Sequence, residues 1–131
     1  MNKSKILLIT DIFPPQIGGP ATFISALAEN LSIYCGHEVT VICTSDRVPA
    51  EADNDRGYTV RRLYKSNTYR YKAYVRYVLS HEIYRHKTIL VNGLESMVYN
   101  IASTINRPYI IKVVGDYVWE LARNTGNTQL D

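Results

Sequence analysis

The sequence is poor in cysteine and has no long apolar run. Cys35 and Cys43 are the two cysteines among 131 residues, and their spacing matches no metal-binding motif. We therefore expect reduced thiols in a cytoplasmic protein rather than a disulfide framework or a zinc site. No segment approaches the roughly 20 apolar residues that span a bilayer. The apolar run near the amino terminus, interrupted at Asp11, is too short for the core of a signal peptide.

Several ligand-binding motifs are also missing. The sequence contains neither G-x-G-x-x-G nor the Walker pattern, which disfavours an ordinary dinucleotide or P-loop site. Asp53 and Asp55 have Asp-x-Asp spacing, but they fall in a polar loop where charge more simply keeps the chain solvated. We therefore predict no metal and no other cofactor. No nucleic-acid motif accompanies the basic residues, so no nucleic-acid partner is predicted.

The sequence does contain the alternating apolar segments of a single α/β domain. Hydrophobic residues make up 46% of the chain and charged residues 21%, as in a soluble globular protein. Apolar runs predict strands at residues 5–10, 39–44, 58–64, 87–93 and 109–114, and helical periodicity predicts helices at 20–34, 68–85, 95–105 and 118–123. This order predicts a Rossmann-like, open, mostly parallel sheet with helices on both faces. The first strand is expected at its centre and the third nearer an edge.

A proline-containing loop separates the first predicted strand from Gly18 and Gly19, which precede Pro20 at the start of the first predicted helix. Backbone N–H groups at a helix start have no intrahelical partner, and the helix dipole adds roughly half a positive charge there. Glycines let a ligand come close to the backbone. The pattern predicts a site for a phosphate-bearing ligand, and a plain structural turn is the alternative.

Other polar residues follow the strands that should end at the same edge of the sheet. These are Asn92, Gly93 and Glu95 after the fourth strand, and Gly115, Asp116 and Tyr117 after the fifth. Ligands of open parallel sheets lie beyond the carboxyl ends of the strands, so we expect these residues to line one cleft with the glycine loop. Asp116 could orient or deprotonate a hydroxyl group of the ligand, or it could simply cap the helix that follows.

Basic and tyrosine residues alternate through the middle of the chain. The tyrosines are Tyr58, Tyr64, Tyr69, Tyr71, Tyr74, Tyr77 and Tyr84, and the cations are Arg56, Arg61, Arg62, Lys65, Arg70, Lys72, Arg76, Arg85 and Lys87. The predicted helix at residues 68–85 could lie on an anionic membrane, on its inner face, with tyrosines at the headgroups. The alternative is a surface helix whose tyrosines pack on the sheet while its arginines face water.

Two segments of the sequence carry distinctive motifs. The first has F-P-P-Q-I-G-G at residues 13–19, followed by G-H-E-V-T-V at residues 36–41. The second has R-P-Y-I-I-K-V-V-G-D-Y-V-W-E at residues 107–120. Together they resemble the N-terminal domain of a family 4-like retaining glycosyltransferase of the GT-B fold. Many family members have a histidine where this chain has Val114, so a donor contact through histidine is not expected here.

The resemblance implies two Rossmann-like domains that face each other across a cleft. Residues 1–131 would be the N-terminal, acceptor-side domain, and the C-terminal domain that holds most of the nucleotide-sugar donor would lie outside this chain, which alone should be inactive. The resemblance also implies that Gly18 and Gly19 lie near the donor diphosphate and that Asp116 lies near the sugar or the acceptor. The implied reaction transfers a sugar with retention to a hydroxyl of a glycan or lipid-linked acceptor, in polysaccharide or glycolipid synthesis. A stand-alone phosphate- or nucleotide-binding module without catalysis is the alternative.

Overall fold

The computed structural model describes residues 3–49 and 51–112, which form an α/β sandwich of one sheet between two layers of helices. The strands are β1 (Lys5–Thr10), β2 (Glu38–Ser45), β3 (Thr59–Tyr64), β4 (Thr88–Asn92) and β5 (Ile110–Ile111). The helices are α1 (Gly19–Glu29), α2 (Arg70–Arg85) and α3 (Glu95–Thr104), and α1 continues into a π-helical turn, Asn30–Tyr34. The elements follow the predicted order, with boundaries shifted by one or two residues. The predicted helix at 118–123 and the end of the fifth strand lie outside the described residues.

The five strands are all parallel and lie in the order β3-β2-β1-β4-β5. β1 is central, and its Leu8 is paired with Val41 of β2 on one side and Leu90 of β4 on the other. This arrangement confirms the predicted Rossmann-like sheet. The carboxyl ends of the parallel strands consequently meet at one edge, where the loops that follow them come together.

Alternating side chains of β1 supply the two faces of the core. Leu7 and Ile9 belong to an apolar cluster that α2 and α3 cover. Ile6 and Leu8 belong to a second cluster on the opposite face, which α1 covers. Full burial of such side chains stabilises the fold by roughly 1.5–3 kcal/mol each, which explains why an aliphatic run without polar interruptions forms the central strand. Helices therefore lie on both faces, as predicted.

The turn between the π-helical segment and β2 contains a glycine in a left-handed conformation. Gly36 has a φ of +74°, the left-handed conformation that ends many helices and suits glycine. His37 follows it, and its Nδ1 accepts a hydrogen bond of 3.1 Å from the Ser4 backbone N–H. His37 thus links the start of β1 to the start of β2, which agrees with a structural role.

Three of the four tyrosines of α2 do not pack on the sheet as one alternative predicted. The buried face of α2 consists of Val75, Val78, Leu79, Glu82 and Ile83. Tyr71 packs against the core, whereas Tyr74 is 48% exposed and Tyr77 and Tyr84 are each 70% exposed. The aliphatic side chains fill the stripe that faces the sheet, so tyrosines beside it turn outward and keep their hydroxyl groups in water. No helix within residues 3–49 and 51–112 combines the length and apolarity needed to cross a membrane.

Asp53 is not the freely solvated loop charge that the sequence predicted, because it pairs with a buried arginine. Arg62 on β3 donates to its carboxylate through Nε at 2.8 Å and Nη2 at 3.0 Å. The guanidinium also donates to the Ser45 hydroxyl at 3.3 Å and to the Pro14 carbonyl. Burial opposes ionisation of Asp53, but hydrogen bonds from Arg62 and Arg56 outweigh it and lower the pKa of the carboxyl. A charge buried beneath the loop needs this counter-ion.

We expect Arg62→Met to lower the free energy of unfolding by about 3 kcal/mol, because it leaves Ser45, Asp53 and Pro14 without their shared donor. The free energy of unfolding of Arg62→Lys should lie between those of Arg62→Met and the wild type, because a single ammonium group cannot donate to all three acceptors as a guanidinium does. The measurement is urea unfolding followed by circular dichroism.

Arg76→Met is the matched control, because Arg76 is exposed on α2; we expect a change within about 0.5 kcal/mol. Equal stability of the Arg62→Met and Arg76→Met proteins would contradict the proposed role of the buried guanidinium.

Candidate functional site

The amino end of α1 is open to solvent and has no side-chain cap. Gly18 is the N-cap residue, Pro20 lies in the first turn, and that turn contains no acidic residue. A Cβ added to Gly19 would meet nothing within 4 Å, whereas one added to Gly18 would lie 2.6 Å from the Ile12 Cδ1 atom. Gly18 therefore packs against the Ile12 side chain, whereas a side chain at position 19 would extend into open space. Uncapped backbone donors beside an open approach are what an anion site requires.

The loop before α1 is anchored to the core. Phe13 is fully buried, its N–H donates to the Gln16 Oε1 atom at 3.3 Å, and its carbonyl accepts from the Gln16 N–H at 3.1 Å. The guanidinium groups of Arg56 and Arg62 lie over its ring, 5.0 and 5.5 Å from the centroid. Together with the bond from Arg62 to the Pro14 carbonyl, these contacts hold the start of the glycine loop in place before any ligand binds.

Asp11, directly after β1, lies against the turn after β4. A Cβ on Gly93 would come within 2.9 Å of the Asp11 carboxylate and closer still to its backbone nitrogen, so only glycine fits there. The Leu94 backbone lies near this carboxylate and favours its charged form, and Leu94 itself has a left-handed φ of 58°. The Thr44 hydroxyl donates to the Asp11 carbonyl at 2.9 Å. Gly93 was predicted to line a cleft. In the structure its lack of a side chain leaves the space that Asp11 occupies.

Asp11 is exposed to solvent on one side and partly enclosed on the other, and these surroundings disfavour its ionised form. Burial raises the pKa of its carboxyl above the ordinary value of 3.8, and the nearby Glu95 carboxylate raises it further; the Leu94 N–H and Lys65 act in the opposite direction. Burial and the Asp11 charge likewise raise the pKa of the Tyr71 hydroxyl. Carboxyl groups with a raised pKa at the end of a central strand are candidates for function. Sequence reasoning missed Asp11, although its place directly after the central strand was a signal.

Asn92 is the predicted site residue with the most unusual environment. It is 6% exposed, ends β4 and is paired in register with Thr10 of β1. Among the described residues nothing accepts a hydrogen bond from its amide nitrogen, and the same holds for the buried Tyr71 hydroxyl as a donor or an acceptor. Buried polar atoms without partners are rare in folded proteins. Two of them near the carboxyl ends of the strands indicate a place where a polar ligand could bind.

Lys112 brings a positive charge to the first helix. Its backbone N–H donates to the Val91 carbonyl at 2.9 Å, which places the residue just beyond β5. Its Nζ atom lies 4.2 Å from the ring centroid of Phe23, which follows Gly19 by about one helical turn. Because Lys112 stands within a predicted apolar strand, its charge gave no signal of a site before the fold was known.

The predicted site residues divide into two groups. Gly18, Gly19, Asn92, Gly93 and Glu95 lie at the carboxyl edge of the sheet, and the last three surround or neighbour Asp11. Gly115, Asp116 and Tyr117 lie outside the described residues, as does Val114. Within residues 3–49 and 51–112 no group of three or more histidine, cysteine or acidic side chains is arranged to hold a metal ion.

Solved structures share this fold at low sequence identity. The chain superposes on TcCGT1, solved in complex with UDP, with a TM-score of 0.60 and 12% identity over 99% of this chain and 33% of TcCGT1. It superposes on the C-terminal domain of the PF1911 hydrogenase from Pyrococcus furiosus with a TM-score of 0.55 and 13% identity over 86% of this chain and 95% of that domain. No protein-family profile and no curated protein sequence matches the chain significantly. This chain therefore spans a third of TcCGT1, and both similarities establish a Rossmann-like α/β fold alone.

Proposed function

We propose that this chain is the acceptor-side domain of a retaining, family 4-like glycosyltransferase and that the donor diphosphate binds at the amino end of α1. The observation that carries the proposal is the open, uncapped start of α1 at the sheet edge where Asp11 and Asn92 lie. A pyrophosphate needs hydrogen-bond donors and positive potential, and the helix start has both. The cation of Lys112 near α1 supports the same choice of ligand.

The chemistry follows from the charge that develops as the bond from the sugar to the diphosphate breaks. Negative charge grows on the leaving phosphate, and fixed donors aimed at that charge lower the barrier more than flexible ones. The N–H of Gly19 and the dipole of α1 would supply this stabilisation. The contacts of Phe13 and Arg62 keep the loop in place, so little reorganisation is needed as the charge develops.

The acceptor hydroxyl would bind beside Asp11 and Asn92. A carboxylate whose pKa is raised can accept a proton or a hydrogen bond from a hydroxyl more readily than an ordinary aspartate. The unpartnered amide nitrogen of Asn92 could donate to an acceptor oxygen. Asp116 is the second candidate for this contact and is proposed on the family resemblance.

The UDP in TcCGT1 supports a nucleoside diphosphate as the ligand class. The uncapped helix start alone would equally suit a phosphate- or nucleotide-binding module without catalysis, which is the second candidate function. Binding of UDP by the full-length protein without sugar transfer from any nucleotide-sugar would favour that module.

Gly19→Val in the full-length protein should weaken binding of UDP and pyrophosphate and lower kcat/KM for sugar transfer about 100-fold, because a branched side chain stands between the ligand and the helix donors. The fold should remain, since a Cβ at this position meets nothing within 4 Å. Isothermal titration with UDP and a transfer assay with a panel of nucleotide-sugars measure both effects. Ala26→Val, at an exposed position of α1, is the control; wild-type binding by the Gly19→Val protein would refute the diphosphate site.

Asp11→Asn should reduce transfer about 100-fold while making the fold more stable at neutral pH. The pKa of Asp11 is higher in the folded protein than in the unfolded chain, so its ionised form costs stability above that pKa. Asparagine removes the charge and keeps an acceptor for the Leu94 N–H. The gain in melting temperature should shrink as the pH falls through the raised pKa, where the wild type is also neutral.

Asp55→Asn, in an exposed loop, is the control for Asp11→Asn and should change neither activity nor its pH dependence. An Asp11→Asn protein with normal turnover would show that this carboxyl does not contact the acceptor, and the diphosphate proposal would be unaffected.

Asp116→Asn distinguishes the two interpretations of Asp116. If it orients or deprotonates the acceptor, the variant should lose at least about 100-fold in kcat with the melting temperature unchanged. If it only caps a helix, asparagine caps equally well and turnover should stay normal. Steady-state kinetics and thermal melting of the full-length protein decide between them.

A further inference from the structure

A polar cavity lies at the amino ends of the strands, at the opposite edge of the sheet from the glycine loop. We call it the amino-edge cavity; its volume is about 250 Å³. Leu7, Ile42 and Leu63 belong to the apolar cluster that α2 covers. Side chains alternate between the two faces of a strand, so residues two or four positions earlier project on that same face. There the sheet becomes polar and contributes Lys5, Glu38, Thr40, Thr59 and Arg61 to the cavity.

The last turn of α2 completes the cavity with buried polar side chains. Glu82 and His86 are each 5% exposed, and Arg85 lies between them in the sequence. The Nδ1 atom of His86 lies 2.7 Å from the Glu82 backbone carbonyl. A carbonyl oxygen can only accept, so Nδ1 carries the hydrogen, and Nε2 is the polar atom of the ring that is left for another partner. Because burial of such groups is costly without partners, this turn is more than filling for the core.

The cations of the amino-edge cavity outnumber the carboxylates that pair with them. Among the described residues, Arg61 and Arg85 share the Oε1 atom of Glu82, at 3.1 and 3.6 Å, and no ion pair involves Lys5. Arg85 lies in the last turn of α2, where a cation suits the helix dipole by itself. Lys5 and Arg61 lie on strands, so the dipole does not account for them. Positive charge from β1, β3 and α2 thus converges on one polar cavity.

We propose that the amino-edge cavity binds a phosphate group, either as inorganic phosphate or as a small phosphate monoester. A tetrahedral dianion accepts hydrogen bonds from several directions at once, as donors on three elements require, whereas a planar carboxylate matches a single guanidinium. Thr40 and Thr59 are paired in register on neighbouring strands, and their hydroxyls can donate to the same ligand. Glu38 and the carboxyl end of α2 oppose an anion, which makes the three cations necessary.

Isothermal titration of the full-length protein with inorganic phosphate, at constant ionic strength and with excess UDP, tests the proposal. The UDP fills the diphosphate site proposed at α1, so the remaining heat reports a second site, and we expect saturable binding. Lys5→Gln combined with Arg85→Gln should weaken this binding at least about tenfold, because hydrogen bonds from charged donors are lost. Both side chains are exposed, so the fold should remain. Glu38→Gln should tighten binding about threefold, because it removes a repulsive charge.

Titration with glycerol 3-phosphate distinguishes the two sources of the phosphate group. Binding tighter than that of inorganic phosphate indicates a monoester as the ligand, and weaker binding indicates the free ion. Malonate has two negative charges but planar carboxylates, and it should bind more weakly than either phosphate compound.

Lys72→Gln combined with Arg76→Gln is the matched control, because it removes two exposed cations of α2 that do not line the cavity. This protein should bind phosphate like the wild type, and circular dichroism confirms that each variant is folded. Equal phosphate affinity of the wild type and the Lys5 and Arg85 double variant would overturn the proposal, as would weaker binding by Glu38→Gln. Tighter binding of malonate than of phosphate would overturn it in favour of a carboxylate ligand.

The outcome is independent of the proposed glycosyl transfer. The double variant of Lys5 and Arg85 should bind UDP like the wild type, and Gly19→Val should keep the phosphate site of the amino-edge cavity. If UDP did not bind at α1, the comparison of the double variant with the wild type would still report the cavity.

Discussion

The buried guanidinium of Arg62 is the contact on which the edge of this sheet depends. One planar group joins three separate parts of the chain: the loop after β1 through Pro14, the end of β2 through Ser45, and the loop before β3 through Asp53. The same group lies over the ring of Phe13, which is itself fully buried. A flexible loop with free ends could not hold two glycines at a helix start in a defined place. The buried ion pair of Arg62 and Asp53 helps to hold the loop before α1 in place.

A second constraint operates where β1 and β4 end. Gly93 leaves room for Asp11, and Leu94 directly after it has a positive φ. Partial burial and the neighbouring Glu95 carboxylate disfavour the charged form of Asp11. Asn92 lies beneath the same edge with its amide nitrogen unpartnered among the described residues. Residues that lower stability and cluster at a strand end are those that a ligand could compensate.

Sequence patterns predicted the layers of this protein better than its polar contacts. Aliphatic runs located β1 and β4 because burial on both faces selects continuous apolar segments. The partner of Asp53 could not be predicted, since Arg62 reaches it only through the fold. The alternative in which Tyr74 packs on the sheet was wrong, because helical periodicity gives the direction of the buried face of α2 but not its width. The strand order predicted the edge of the sheet at which Gly19, Asn92 and Gly93 lie. Asp11 and Lys112 could be recognised as candidate site residues only once the structure showed which groups surround their side chains.

The position of β1 at the centre of the sheet also sets an order of assembly. Ile6 is paired with Val39 on one side and with Thr88 on the other, so the second pairing joins segments much farther apart in the chain. Closing a loop costs roughly 0.6 kcal/mol more for each doubling of its length, and contacts between distant segments slow folding. The unit of β1, α1 and β2, in which the two strands are parallel, can therefore form while the chain is still short. The junction of β1 and β4, where Asp11 meets Gly93, would then be completed late, after the hydrophobic layers that support it.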